Sequence, residues 1–392
     1  MKRIATLAVF SHKPCWSSVN SPTGYATNGG FPFQMRAISE LFSATRLVVP
    51  CSPVHQQPGE TALTGHNLSV VPLTAPSGSG LQRKLVLPIW LLRNLPVMLR
   101  ECLRADAVHA PVPGDIGTIG MLLAFVLRKP LFVRHCGNWH VANTAAERFW
   151  KWFMQRFAGG RNVMLATGGG TEQPSPEFPK VRWIFSTSLT QPELAACAMQ
   201  RERRAGQPLR LILVARQEQD KGTGNVIASL PALLKEFHGL SFDVVGEGGA
   251  LGEFKQQAAA LKLNGCVTFH GNVNHDAVLN LLRGADLFVM PTTSSEGFPK
   301  AVLEALACGL PVVTTRVSVL PKLLQTGGGV LLDSPEPSAV AQGVRDCVSD
   351  PERYRAMSAR AVEVARQYSL EGWRDFIGEQ LRAAWGPLSA HD

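Results

Sequence analysis

The sequence EGFPKAVLE at Glu296–Glu304, continued by ALACGLPVV at Ala305–Val313, decides the fold of this chain. An apolar run at Leu287–Met290 precedes it, helix-forming residues occupy Lys300–Ala307, and a second apolar run follows at Pro311–Thr315. A strand, a helix and a strand in this order are the repeating unit of a parallel sheet with crossover helices. We therefore predict an α/β fold around this stretch.

The same alternation continues upstream and predicts a second sheet in the first half of the chain. The predicted strands are Ile4–Phe10, Arg46–Val49, Ala107–His109, Leu131–Arg134, Leu209–Ala215, Ser241–Val245 and Val267–Phe269, and the predicted helices of the second half are Val226–Phe237, Leu251–Leu261 and His275–Arg283. Two doubly wound, Rossmann-like domains account for this pattern. We place them at residues 1–188 and 189–366, with the joint between Ser188 and Gln207, where the stretch Arg201–Gln207 is polar and turn-prone.

Residues 367–392 form a predicted C-terminal helix that needs a partner. Trp373, Ile377, Leu381 and Trp385 recur every four residues and place large apolar side chains on one helix face. We expect this helix to cross back and pack on the N-terminal domain.

Composition limits the classes of function. The 392 residues are 45% hydrophobic and 18% charged, which is typical of a folded globular protein. Residues 1–188 hold 19 basic and 8 acidic side chains, whereas residues 189–392 hold 20 and 22, so the first half favours an anionic partner. Nucleic acid is not expected, since no dense basic stripe or zinc-finger spacing occurs. The eight cysteines are scattered and no run of 18 apolar residues exists, so we expect reduced thiols, no zinc site and no membrane span.

The deciding stretch also carries chemistry. Glu296 precedes the helix and Glu304 lies within it, and carboxylates accept hydrogen bonds from paired hydroxyls such as those of sugars and ribose. Between them, the amides of Phe298, Lys300 and Ala301 open a helix, where anions bind. We therefore predict a ligand that carries hydroxyl groups at both ends and a phosphate between them.

Two cations and a glycine are predicted at the same edge of the sheet. Arg216 and Lys221 follow the first strand of the second domain, and Gly246 follows the next strand. Ligands of doubly wound sheets bind at the carboxyl ends of the strands. We therefore predict that Arg216 and Lys221 clamp a diphosphate.

With these motifs in place, the second half resembles the donor-binding domain of a GT-B glycosyltransferase, specifically the retaining glycosyltransferase family 4, or glycosyl transferases group 1. The matching segments, in family order, are Arg216…Lys221-Gly222, Val245–Gly248, Phe269–Val273, Ala285–Pro291, Glu296–Pro299 and Glu304–Val313. The resemblance implies donor binding by Arg216 and Lys221 at the diphosphate, Glu304 at the ribose, Glu296 at the donor sugar, and the loop with Asn272 and Val273 at the base. It also implies donor contacts from Gly246, Phe298, Pro299, Lys300 and Ala301.

The first half is similar to the family at fewer positions. Gly29 and Gly30 occupy the place of a glycine-rich loop near the donor phosphates, and His135 that of the active-site histidine, with His140 as the competing candidate. The resemblance implies a cleft between the domains, an acceptor on the N-terminal domain and retention of anomeric configuration. No D-x-D pair is present to hold a metal on the diphosphate, so neither a metal nor another cofactor is expected.

The leading hypothesis is a retaining glycosyltransferase of the hexosyltransferase type. It would move a sugar from a UDP- or GDP-sugar to a hydroxyl of a lipid-linked or surface-polysaccharide glycan, in the cytoplasm, with peripheral attachment to the inner face of the cell membrane. A soluble glycosyltransferase of small molecules and a catalytically silent GT-B pseudo-enzyme are the alternatives. An NAD-linked oxidoreductase is a more distant one, since Leu251 replaces the third glycine of G-x-G-x-x-G. The leucines and arginines of Leu92–Arg104 indicate either a membrane-surface patch or an ordinary surface helix.

Overall fold

The computed structural model describes residues 3–53, 60–75, 80–140, 142–168, 174–203, 206–263, 265–294 and 297–389. The chain divides into two compact units. The first combines Met1–Ser188 with Leu370–Asp392, and the second is Leu189–Ser369. Each unit is built around one largely parallel sheet.

The sheet of the first unit is doubly wound. Its strands are β1 (Thr6–Phe10), β2 (Cys15–Ser17), β3 (Tyr25–Thr27), β4 (Ala44–Ser52), β5 (Thr61–Ala62), β6 (Leu68–Leu73), β7 (Ala107–Val112), β8 (Leu131–His135), β9 (Asn162–Thr167) and β10 (Val181–Ile184). Strands β10, β9, β8, β7, β1 and β4 are neighbours in that order and run parallel, and β6 pairs with β4. Short strands β2, β3 and β5 extend the sheet beyond β4.

Helices cover both faces of this sheet. They are α1 (Phe31–Ser39), α2 (Gly80–Arg104), α3 (Asp115–Val126), α4 (Ala145–Phe157) and the C-terminal α13 (Leu370–Trp385). One hydrophobic core lies under α1 and α13 and includes Ile38, Phe42 and Trp373. The other lies under α2, α3 and α4 and includes Met98 and Met121.

The predicted C-terminal helix is confirmed. Trp373, Ile377, Leu381 and Trp385 are all buried in the core that α13 shares with α1. The Trp385 indole N–H donates to the carbonyl oxygen of Arg161 at 2.8 Å. The four-residue spacing therefore marked the face that α13 buries against the first unit.

The second unit has the strand order expected of a Rossmann-like domain. Its elements are α5 (Gln191–Cys197), β11 (Arg210–Val214), α6 (Thr223–Leu233), β12 (Ser241–Val245), α7 (Leu251–Ala260), β13 (Val267–Gly271), α8 (His275–Gly284), β14 (Leu287–Met290), α9 (Lys300–Ala307), β15 (Val312–Thr315), α10 (Leu320–Leu324), β16 (Gly329–Leu332), α11 (Pro337–Val348) and α12 (Pro351–Arg366). The parallel order β13-β12-β11-β14-β15-β16 reverses its direction between β11 and β14. Such a reversal creates a ligand crevice at the carboxyl ends of the strands.

The polar stretch Arg201–Gln207 differs from the expectation in one respect. Its described backbone is irregular, as predicted, but the side chains of Arg201 and Arg203 are buried. The Arg201 guanidinium donates to the carbonyl oxygens of Cys308 (2.8 Å), Leu282 (3.1 Å), Arg283 (3.1 Å) and Ala285. Arg201 therefore joins the ends of α8 and α9 inside the second unit.

Candidate active site

The predicted donor-binding residues follow four neighbouring strands of the second unit. They are Arg216 and Lys221 after β11, Gly246 after β12, Asn272 and Val273 after β13, and Phe298, Pro299, Lys300, Ala301 and Glu304 after β14. The four strands are adjacent and parallel, so these residues follow the same edge of one sheet. Glu296, predicted to hold the donor sugar, lies outside the described residues.

The loops after β11 and β14 contact each other where the strand order reverses. The amide of Thr293 and the hydroxyl of Thr292 both donate to the carbonyl oxygen of Asp220, each at 2.9 Å. Gly222 has φ +84°, and a Cβ there would lie 2.5 Å from the carbonyl oxygen of Pro291. Only glycine at this position therefore allows the two loops to approach this closely.

Lys221 and Arg216, the two residues predicted to bind the diphosphate, have different surroundings. Lys221 ends a short 3₁₀ turn and is only 3% exposed, with its Nζ 3.9 Å from Oδ2 of Asp220. Arg216 is exposed to solvent. A buried cation held by its own loop is positioned before a ligand arrives, whereas an exposed arginine loses side-chain entropy on binding.

The loops after β11, β12 and β13 are joined through their backbones. The amide of Gly246 donates to Gly271 at 2.8 Å, and the amide of Gln217 donates to Glu247 at 3.0 Å. Gly246 has φ +117°, and a Cβ there would overlap the carbonyl oxygen of Ala215. Glycine at 246 thus allows this part of the edge to consist of closely packed main chain.

Gln217 organises these loops, and the sequence analysis assigned it no role. Its side chain is fully buried and donates to the carbonyl oxygens of Ala215 (2.9 Å) and Val245 (3.0 Å). Its side-chain Oε1 accepts from the hydroxyl of Thr223 at 2.8 Å. Its position directly after Arg216 on a strand-end loop was the available signal.

The N-terminus of α9 suits an anion. Pro299 precedes the helix and supplies no side-chain cap, and the first turn contains no acidic residue. Partial positive charge gathers at the N-terminus of a helix and attracts anions. Phe298 is buried against Tyr368, with ring centroids 5.4 Å apart, and anchors the loop that leads into the helix.

Glu304 lies one turn further along α9 and is 7% exposed. Its Oε1 is 3.7 Å from Nδ1 of His275, the first residue of α8. Asn274 caps that helix by accepting from the amide of Ala277 at 2.9 Å. His275 could not be assigned to the site from the sequence, because nothing in its spacing links it to Glu304.

In the first unit, the predicted residues lie at the end of strand β8 and on the loop that follows strand β3. Gly29 has φ +72°, and Gly30 precedes α1 without a side-chain cap. His135 ends β8, is buried, and meets the Trp139 ring edge to face at 5.4 Å. Burial lowers the pKa of His135 to about 4, so its imidazole is neutral at pH 7.

His140, the competing histidine, is exposed. Its amide donates to Oδ1 of Asn138 at 3.0 Å, and its ring lies 5.5 Å from that of Trp183. In the parts of the chain that the structure covers, no group of three or more His, Cys, Asp or Glu side chains is arranged to hold a metal ion. Over the same residues, none of the helices has the length and hydrophobicity of a transmembrane segment.

Two parallel, doubly wound sheets and the C-terminal helix on the first unit define a GT-B glycosyltransferase fold. The chain aligns over 97% of its length with all of HepE from Anabaena, solved in complex with UDP and glucose, at a TM-score of 0.68 and 17% identity. Residues 198–364 match the family model for glycosyl transferases group 1. This segment, which contains the described residues of the second unit that we predicted to bind the donor, belongs to that family.

Two curated relatives from Mycobacterium tuberculosis are similar over parts of the chain. Glycogen synthase is 33% identical over 161 residues, which are 41% of this chain and 38% of the relative. The GDP-mannose-dependent alpha-(1-6)-phosphatidylinositol dimannoside mannosyltransferase is 34% identical over 226 residues, 55% of this chain and 57% of the relative. The chain thus spans between about two fifths and three fifths of the length of these two relatives.

Proposed function

We propose that the protein is a retaining glycosyltransferase that moves a sugar from a nucleotide-diphosphate sugar to a hydroxyl acceptor. One observation carries the proposal: the buried cation Lys221, the N-terminus of α9 and the buried carboxylate Glu304 follow adjacent strands β11 and β14 at the reversal of strand order. A cation and a helix N-terminus can bind the diphosphate of a nucleoside diphosphate, and a carboxylate can bind its ribose hydroxyls.

Each part of the donor is bound by groups that complement its charge or its hydrogen-bonding atoms. Lys221, Arg216 and the N-terminus of α9 hold the diphosphate, and Glu304 accepts hydrogen bonds from the ribose hydroxyls. The loop of Asn272 and Val273 meets the base, and Glu296 holds the hydroxyls of the donor sugar. UDP, which is bound in the HepE structure, and GDP-mannose, named for the mannosyltransferase, are the two donor types to test first.

The chemical step transfers the anomeric carbon between two oxygens. The bond from that carbon to the diphosphate oxygen breaks, the bond to the acceptor oxygen forms on the same face, and the acceptor proton passes to the departing diphosphate. Lys221 and Arg216 stabilise the charge that develops on the leaving group. Neutral His135 contacts the reacting sugar. These two cations neutralise the leaving group, so we propose that no metal is required.

For the acceptor, we propose a lipid-linked or polysaccharide glycan. The two curated relatives are named for glycogen and for a phosphatidylinositol dimannoside, which are glycan and glycolipid acceptors. The excess of positive charge in residues 1–188 supports an acceptor that is anionic or lies at an anionic surface. Transfer to a small molecule, or no turnover at all, is the competing outcome.

The first experiment is a thermal-shift screen against UDP-, GDP-, ADP- and CMP-sugars, followed by assays of hydrolysis and transfer with and without EDTA. A bound donor raises the melting temperature by mass action. We expect one nucleotide class to stabilise the protein and EDTA to leave turnover unchanged. Binding without hydrolysis or transfer would identify the pseudo-enzyme instead, and no shift with any donor would refute the proposal.

The second experiment tests the site. Lys221→Met should raise the dissociation constant of the donor by about tenfold or more, since a charge-assisted contact to phosphate is lost. Lys235→Met, at an exposed lysine of the same unit, is the matched control and should leave binding unchanged. Equal donor affinity in both variants would show that the diphosphate binds elsewhere.

A further inference from the structure

Helices α2, α3 and α4 form one layer on a single face of the first unit's sheet. Their inner sides share one hydrophobic core, to which Trp90, Met121 and Phe153 contribute from the three helices in turn. Phe125 of α3 contacts the rings of Phe153 and Phe157 of α4 at centroid distances of 5.2 and 4.6 Å. The outer sides of the three helices therefore form one continuous surface, here termed the outer helical layer.

This outer helical layer exposes large apolar side chains. They are Ile89 (70% exposed), Leu92 (75%), Leu99 and Leu103 on α2, Leu122 and Val126 (75%) on α3, and Trp152 (53%) on α4. Among the described residues of α1 and α13, which cover the opposite face of the sheet, no large apolar side chain is comparably exposed. Exposed apolar residues gathered on one surface mark an interaction site.

The same surface is basic. Among the side chains that the structure describes, the cations on or directly after its helices are Arg93, Arg100 and Arg104 of α2, Arg128 and Lys129 after α3, and Arg148, Lys151 and Arg156 of α4. Arg93, Arg100, Arg104, Arg128, Arg148 and Arg156 are exposed. The surface thus combines the apolar side chains of the three helices with positive charge on α2, on α4 and directly after α3.

Three carboxylates in or directly after these helices, or directly before them in the chain, have contacts within the first unit. Glu101 is fully buried and pairs with Arg46 and with Arg100, the latter at 3.0 Å. Glu147 closes the capping box of α4 with Thr144. Oδ2 of Asp106 accepts from the amide of Thr6 at 3.1 Å. The charge of Glu101 is balanced by its arginines, and the cations of this surface outnumber these carboxylates.

We propose that the outer helical layer binds the surface of an anionic phospholipid bilayer. On α2, the apolar residues from Ile89 to Leu103 run along about 21 Å of helix, with arginines beside them. Apolar side chains would enter the headgroup region, where tryptophan is also favoured, while arginines meet lipid phosphates. Protein interfaces, in contrast, are depleted of charge at their apolar centres.

This inference extends the proposed function by naming the surface at which the enzyme would meet a lipid-linked acceptor. The test measures binding to vesicles and does not depend on enzymatic turnover. Cosedimentation of the full chain is measured with vesicles of phosphatidylcholine alone and of phosphatidylcholine mixed with phosphatidylglycerol. We expect binding to the mixed vesicles, weak binding to the neutral ones, and a decrease as salt is raised.

Paired variants separate the apolar and ionic contributions. Leu92→Ser with Leu103→Ser should weaken vesicle binding about tenfold or more, and Arg93→Gln should weaken it about fivefold. The matched controls are Val19→Ser, an 85% exposed residue outside the layer, and Arg36→Gln, an exposed residue of α1 on the opposite face. Circular dichroism melting of every variant confirms that the fold is retained.

The outcomes are distinct from those of the donor experiments. Absence of binding, equal binding to neutral vesicles, or unchanged binding by the leucine variant would each overturn the inference. Donor affinity is measured on the same preparations without lipid and should not change in any of these variants. A protein that binds vesicles but no nucleotide-sugar would refute the proposed function and leave the membrane surface supported.

Discussion

Nδ1 of His275 lies 3.7 Å from Oε1 of Glu304, so the first residue of α8 faces the carboxylate that we assign to the ribose. Glu304 is almost fully buried, and its orientation depends on the groups around it. His275 in turn begins a helix that Asn274 caps. We regard His275 as a positioning residue for Glu304.

Replacing His275 should therefore weaken nucleotide binding without unfolding the protein. We expect His275→Ala to raise the dissociation constant of the nucleotide about threefold to tenfold, because Glu304 loses one of the groups that orient it. Calorimetry with the nucleoside diphosphate alone measures the effect. His238→Ala, at an exposed histidine of the same unit, is the control and should bind like the wild type. Unchanged affinity in His275→Ala would leave the pair without a positioning role.

Gly246 should not tolerate a side chain. Gly246→Ala places a Cβ against the carbonyl oxygen of Ala215 at a φ of +117°, and we expect a loss of about 3 kcal/mol in the free energy of unfolding. Gly252→Ala, in α7 with open space around its Cβ, should be neutral or stabilising by up to about 1 kcal/mol. Urea unfolding compares the two. Similar stability of both variants would contradict the close approach of the two loops.

Arg201 should be important for stability although it lies outside the predicted site. Arg201→Gln removes a guanidinium that donates to four carbonyl oxygens, and we expect about 3 kcal/mol of destabilisation. Arg210→Gln, at an exposed arginine, should change the melting temperature little. If both variants melt like the wild type, the buried arginine does not contribute as described.

The first unit should lose stability in mild acid because of its buried histidines. Burial lowers the pKa of His135 to about 4 and that of His109 to about 3, whereas an unfolded chain has values near 6.5. Below pH 6.5 the unfolded chain binds protons that the folded chain does not, so the free energy of unfolding falls as the pH falls towards 4.

A comparison of His135→Asn with the wild type isolates one of these groups. Between pH 7 and pH 5 we expect the variant to lose about 2 kcal/mol less than the wild type, since its residue 135 does not titrate. Urea unfolding at the two pH values, followed by tryptophan fluorescence, measures the difference. Equal losses in both proteins would mean that His135 is not desolvated as the structure shows.

The second unit could be predicted closely from the sequence. Strands Ser241–Val245 and Leu287–Met290 and helix Lys300–Ala307 agree residue for residue, because short loops separate elements of clear periodicity. Strand β16 and helices α11 and α12 of the same unit were not predicted. The first unit was predicted less well. Its two- and three-residue strands are too short to show alternation, and α2 contains Pro88 and Pro96, which usually indicate helix ends.

Some residues of the site could likewise be predicted from the sequence, and others could not. The residues of the second unit's motifs fall at one edge of the sheet because strand ends can be located from the sequence. Gln217, His275 and Arg201 could not be assigned roles, since their partners are main-chain carbonyls or residues distant in sequence. Such contacts depend on the packed structure rather than on local spacing.

Helix α13 affects how the protein folds during its synthesis on the ribosome. The second unit is a single uninterrupted segment, whereas the first needs Trp373 and its neighbours, which are translated after all of Leu189–Ser369. The apolar face beneath α13 must therefore stay uncovered while some 180 intervening residues emerge. We expect nascent chains that stop before Leu370 to recruit chaperones through that face, and release to coincide with arrival of the last helix.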